Sequence, residues 1–170
     1  MVLLQPISNT ILHMKRPWNL PNLPVYSLAT YAGEQVNFNI CTYVSAVSMQ
    51  PKLYAVAVYN NTQTLVNLQR TDCAVLHLLH ANQYNLVNYL GKKSGLTFNK
   101  QAWLSRKNLL DTWQNLQVLQ GAAAYVSLKK VNVIPSGDHQ LFLFEVLKYQ
   151  SVSNDVLTTQ VLSAKNIIRI

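Results

Sequence analysis

The stretch covering residues 122–152 constrains the fold most. "AAAYVSLKKVNVIPS" alternates apolar and polar residues, breaks at "PSGD" and returns as "HQLFLFEVLKYQSV". This is the pattern of a long β-hairpin. A two-stranded ribbon is marginal in water, so its apolar face needs further strands or helices against it. Partners are present upstream. "VYSLATYAGEQVNFNICTYVSAVSMQPKLYAVAVY" alternates on either side of Gly33 and Glu34 as a second hairpin, and is interrupted at Pro51 and Lys52. "KLYAVAVY" and "DCAVLHLLH" then read as short, continuously apolar strands of the buried kind.

In "NNTQTLVNLQRT", short polar side chains precede Leu65 and Leu68 at helical spacing, as a helix start requires. "ANQYNLVNYLGKKSG" predicts a short helix stopped by Gly91. The segment from Phe98 to Leu116, with Trp103 and Trp113, reads as a loop or broken helix over one end of a sheet. "DVLTTQVLSAKNIIRI" reads as an edge strand or tail. The expectation is a mainly β fold, a barrel or sandwich of about seven strands with two or three short peripheral helices.

With 170 residues, one domain over 25–170 is expected, preceded by an arm at 1–24 rich in Pro, Asn and Leu. No apolar run approaches the roughly 20 residues of a membrane span. The first residues carry their charges after the apolar part and lack a small-residue cleavage site, so a soluble, cytoplasmic protein with no membrane partner is expected. In that setting Cys41 and Cys73 are reduced thiols in the core or lining a site. A formal charge of +8 raises the question of nucleic acid. Its basic residues are scattered pairs (Lys15 and Arg16, Lys92 and Lys93, Arg106 and Lys107, Lys129 and Lys130), and no strand shows the aromatic spacing of an RNA-binding sheet. No nucleic-acid partner is therefore expected, although a positive surface favours anionic small molecules.

The six acids are too dispersed for an acid and base pair on one element. The histidines, His13, His77, His80 and His139, form no metal-ligand spacing; His77 and His80 are expected on one strand with opposite orientations. Neither a glycine-rich phosphate loop nor a nucleophile elbow is present. Two stretches stand out. "NICTYVSAVS" places the hydroxyls of Thr42, Tyr43, Ser45 and Ser48 on a half-buried strand, which either holds a planar polar heterocycle or uses Thr and Tyr for packing. "NNTQTL", with Asn60, Asn61, Thr62 and Thr64, either holds an anion at a helix start or is an ordinary N-cap. The corner Gly137, Asp138, His139 either ends a turn in solvent or aims an imidazole from the strand that follows.

In this order, "NFNICTYVSAVSMQPKLYAVAVYNNTQTLVNL", "NQYNLVNYLGKKSG" and "VLQGAAAYVSLKKVNVIPSGDHQLFLFEV" resemble the flavin reductase-like family, from about Val25 to Val152. Val47, Ser48 and Pro51 stand at the family's valine, serine and proline pattern; Thr62 and Thr64 stand in its Ser/Thr-rich turn; Gly137 to Val146 stand at its "GDH" and apolar strand. The resemblance implies an FMN-binding split barrel, a Greek-key-type β-barrel with a few short peripheral helices. It implies FMN ahead of FAD or riboflavin, NADH or NADPH as reductant, and a homodimer with flavin at or near the subunit interface. It further implies that Cys41, Thr42, Tyr43, Val44 and Ser45 line the isoalloxazine and ribityl chain. Asn60, Asn61, Thr62 and Thr64 would lie at the phosphate, and His139 on the nicotinamide or substrate side. Two departures stand out: Asn60 where many relatives carry lysine, and Phe144 where many carry glycine, a ring expected to narrow the nicotinamide side. A flavin-binding carrier or sensor without reductase activity is the alternative.

Overall fold

A computed structural model describes residues 16–169. Most of the predicted arm, and His13, lie outside the described residues. The first strands are β1 (Tyr26–Ala32), β2 (Gln35–Cys41), β3 (Val44–Met49) and β4 (Lys52–Tyr59). The order continues with α1 (Gln63–Leu68), β5 (Cys73–Leu78), a 3-10 turn (Ala81–Asn85), α2 (Leu86–Leu90) and α3 (Lys100–Arg106). A short ribbon, β6 (Leu110–Trp113) and β7 (Leu116–Leu119), precedes the long hairpin of β8 (Ala124–Ser136) and β9 (His139–Ser151), and α4 (Thr159–Ala164) closes the chain.

Seven strands form one antiparallel sheet in the order β2-β1-β5-β8-β9-β4-β3. The two outermost strands, β2 and β3, are consecutive in sequence and joined only by Thr42 and Tyr43. Three Cα steps span at most about 11 Å, so this corner forces the two edges of the sheet together. The sheet therefore curls into a barrel. At the seam the Ala57 amide donates to the Tyr43 carbonyl at 3.0 Å, and β2 approaches β4 without forming a ladder with it.

Alternation along the strands separates two cores. Leu28, Val56, Leu76, Leu128, Phe142 and Phe144 fill the barrel, where Leu65 and Leu68 of α1 join them. Ala29, Phe38, Val75 and Leu79 face outward and are covered by Leu86, Leu90, Leu104, Leu119 and Leu162 from the helices and ribbon. Strands β1 and β5 are buried on both faces, so that even Ser27, Thr30 and His77 within them lie out of solvent.

Three expectations change. Phe98–Leu116 holds a helix and one strand of a ribbon: the Asn99 side chain caps α3 by accepting from the Ala102 amide at 2.9 Å, and Gln114 and Asn115 turn the ribbon with φ of 52° and 61°. The last segment is a helix, capped by Thr158 and anchored by buried Leu162. There are nine strands, two of them outside the barrel, and four α-helices among the described residues.

Candidate functional site

The β8–β9 turn sets one corner of the site. Gly137 has φ of +63°, a conformation costly for residues with a Cβ, and lets the hairpin reverse into His139. Pairing then holds His139 on both sides, against Ser136 of β8 and Tyr59 of β4. Its Nδ1 lies 2.6 Å from Asp138 Oδ1. The ring stands between Tyr43 from the barrel seam, 5.7 Å away by centroids, and Tyr59, 5.3 Å away and edge-on. These three rings, with Asn39, Ile40, Cys41, Thr42 and Ala57, line a cavity of about 170 Å³. Burial pushes the Cys41 thiol up to about 12, so it is a neutral wall rather than a nucleophile.

A second cavity, of about 200 Å³, shares Asn39 and Tyr59 with the first. It is lined by Asn61, Thr62 and Thr64, by Gly91, Lys92, Lys93, Ser94 and Gly95, and by the buried Asn37 and Lys100. No carboxylate is among its lining residues. The Thr62 hydroxyl donates to the Tyr59 carbonyl at 2.8 Å and accepts from the Leu65 amide at 3.2 Å, so it caps α1. Buried Thr64 accepts from the Asn37 side chain at 3.0 Å. Asn60 donates to the Gly137 carbonyl and pairs its amide with the Asp138 carbonyl, which ties the start of α1 to the hairpin turn.

Of the residues singled out in the sequence, the fold gathers Cys41, Thr42, Tyr43 and His139 in the first cavity and Asn61, Thr62 and Thr64 in the second. Val44, Ser45 and Asn60 lie outside both: Val44 packs against the barrel core, and the Ser45 hydroxyl is exposed. Phe144 does not face the site at all; it is fully buried in the barrel beside Phe142. The other histidines also take structural roles. His77 is fully buried in β5, while His80 lies beyond that strand and caps the 3-10 turn by accepting from the Asn82 amide, with Nε2 3.7 Å from Asp155. Among the described residues, no three His, Cys, Asp or Glu come together as metal ligands.

Sequence reading missed Asn39, Tyr59, Lys92, Lys93 and Lys100 as lining residues. Tyr59 was foreseeable only from strand register. The "GKKSG" run did carry a signal, two glycines four residues apart around two lysines.

The sequence profile described as a flavin reductase like domain matches residues 21–164. The chain belongs to the flavin reductase-like family. Curated relatives of this flavin reductase-like chain include the NADH:FMN oxidoreductases of Rhodococcus erythropolis and Rhodococcus qingshengii, each 26% identical over 115 residues. The match covers 67% of this chain and 57% of each relative, so the chain spans little more than half their length. Among solved structures, an FMN-binding protein from Thermus thermophilus with bound p-hydroxybenzaldehyde aligns with a TM-score of 0.73 at 19% identity, over 90% of this chain and 83% of that one. The styrene monooxygenase flavin reductase of Pseudomonas putida S12 aligns with a TM-score of 0.66 at 18% identity, over 78% and 82%. These likenesses establish the split-barrel fold.

Proposed function

We propose that this flavin reductase-like domain binds FMN and transfers hydride to it from NADH or NADPH. The observation that carries the reading is the pair of neighbouring cavities that share Asn39 and Tyr59 as walls. One is aromatic and holds His139, as a planar ring would need; the other is basic and free of carboxylates, as a phosphate would need. The donor set fits FMN: backbone and side-chain groups of residues 41–43 toward the ring, and Asn61, Thr64 and the lysine-bearing turn toward the phosphate. FMN would supply the two-electron chemistry, which accounts for a site without an acid and base pair. The chain's own task is orientation. Asp138 fixes the His139 ring, and Tyr43 and Tyr59 confine it, so the imidazole can position a nicotinamide amide against the flavin.

The test is the visible spectrum of FMN with the protein, followed anaerobically after NADH or NADPH is added. The expected result is a protein-shifted spectrum that bleaches with one or both, with His139→Ala slowing bleaching about tenfold or more while changing FMN affinity less than about threefold. A shifted spectrum that neither nucleotide bleaches would mean an electron carrier or sensor. An unslowed variant would remove His139 from the reaction.

We propose further that the protein works as a homodimer in the cytoplasm, its cysteines reduced. No helix among the described residues is long and apolar enough to cross a membrane, and both cysteines are free. Helices cover the outer face of β1, β2 and β5, yet Val47 and Met49 of β3, Val131, Val133 and Ile134 of β8 and Leu147 of β9 stand exposed. A second copy packed against these strands would remove part of this apolar surface from water. Sedimentation equilibrium should return twice the chain mass; a monomer at micromolar concentration would refute the dimer.

A further inference from the structure

Position 60 holds the neutral Asn60, and its side chain is spent on the Gly137 carbonyl rather than on the basic cavity. Positive charge reaches that cavity from another element. The turn after α2 is built to bring its lysines close. A Cβ on Gly91 would meet the Val87 carbonyl at 2.9 Å and Ile40 Cβ at 3.2 Å, and a Cβ on Gly95 would overlap the Asn37 carboxamide and press on Gln63 Cβ at 3.0 Å. Only residues without a side chain let the backbone lie this close to β2 and α1. Between these two anchor points stand Lys92, Lys93 and Ser94, all exposed and all lining the cavity together with Asn61 and Thr64.

A third cation lies beneath. Lys100 is 3% exposed, and its Nζ donates to the Leu90 carbonyl at 2.6 Å, the last residue of α2 before the turn. That is its one hydrogen bond among the described residues, while an ammonium has three donors. Burial pulls this amine down to about 8, a cost that an anion in the cavity would offset. Lys93 Nζ sits over the Phe98 ring at 4.6 Å and over Tyr89 at 5.2 Å, which limits the directions open to it.

We infer that the glycine-bracketed turn Gly91–Gly95 is a phosphate clamp, in which Lys92 and Lys93, backed by Lys100, recognise the phosphate monoester of FMN and set the preference for FMN over riboflavin. This rests on the flavin reading of the site. The clamp relocates the cation from the end of β4 to the turn after α2.

The experiment is a titration of FMN and of riboflavin against the wild type and the Lys92→Ala/Lys93→Ala double variant, at low and high salt, read by flavin fluorescence. Both substitutions are on exposed side chains, so folding is retained, and circular dichroism verifies it. The wild type should bind FMN more tightly than riboflavin. The double variant should weaken FMN about 5- to 10-fold and riboflavin less than twofold, and salt should weaken FMN alone. Equal weakening of both flavins, or none, would overturn the clamp while leaving the flavin site in place. A wild type that binds neither flavin would overturn the site reading itself.

Discussion

Phe144→Ala should destabilise the fold by about 3–5 kcal/mol, the range for removing a fully buried aromatic ring from a packed core. Phe144 is 0% exposed and its ring packs 5.9 Å from that of Phe142. It pairs across the sheet with Tyr54 on one side and Lys130 on the other, in the middle of the β4–β9–β8 triplet. Leu28, Val56, Leu76 and Leu128 complete its surroundings, so the truncated side chain would leave a cavity that the closed barrel cannot collapse around. Urea unfolding of variant and wild type measures the loss. FMN affinity, taken where both are folded, should change less than about twofold, because the ring points away from His139. If the alanine variant fails to fold, Phe144→Leu should still fold and cost about 1–2 kcal/mol. A loss under about 1 kcal/mol in Phe144→Ala, joined to a change in nicotinamide KM, would put the ring on the site side and refute this assignment.

The geometry behind that prediction was present in the sequence. Strand residues alternate faces, and 139 and 144 differ by an odd number, so a straight β9 sets His139 and Phe144 on opposite sides. Family likeness pointed the other way, since glycine at that position suggested contact with the reaction. Local alternation was the better guide. Other parts of the fold were legible for the same reason: β1, β4, β5 and the β8–β9 hairpin announce themselves through period-2 or continuous apolar runs, and Thr62 announces α1 because a cap is a local interaction.

What sequence reading could not supply was contact between distant segments. The Gly91–Gly95 turn and residues 61–64 share a cavity although about 30 positions separate them, and only the docking of α2 on β2 brings them together. Tyr59 meets His139 through the β4–β9 register, which depends on how the barrel closes. The ribbon β6–β7 and helix α4 were missed because their buried residues, Leu119, Val118 and Leu162, sit among polar neighbours with no clean period. Their burial is decided by the outer face of β5, not by their own sequence.

That outer face holds His77, and it makes stability depend on acid. The imidazole is fully buried between the Phe38 and Tyr125 rings, at centroid distances of 5.9 and 5.6 Å. Nδ1 is 2.9 Å from the Ser27 carbonyl, so it must be the protonated nitrogen that donates; Nε2 then accepts from the Leu119 amide at 3.2 Å. Both polar atoms are satisfied only in the neutral ring. A second proton on Nε2 would face the Leu119 N–H donor to donor and place a charge out of water, and burial accordingly lowers this histidine from 6.5 to about 4, against the opposing Ser27 bond. Between those two values the unfolded chain binds the proton and the folded chain does not, so stability rises with pH across this window. The group contributes on the order of 3 kcal/mol above pH 6.5 that is lost progressively as pH falls toward 4. Urea unfolding from pH 7.5 down to 4 should show that decline in the wild type. In His77→Gln, whose amide can donate to Ser27 and accept from Leu119, the starting stability is lower but the decline over the same window should shrink by most of that amount. Equal slopes in the two proteins would assign the acid sensitivity to other groups and return His77 to a purely packing role.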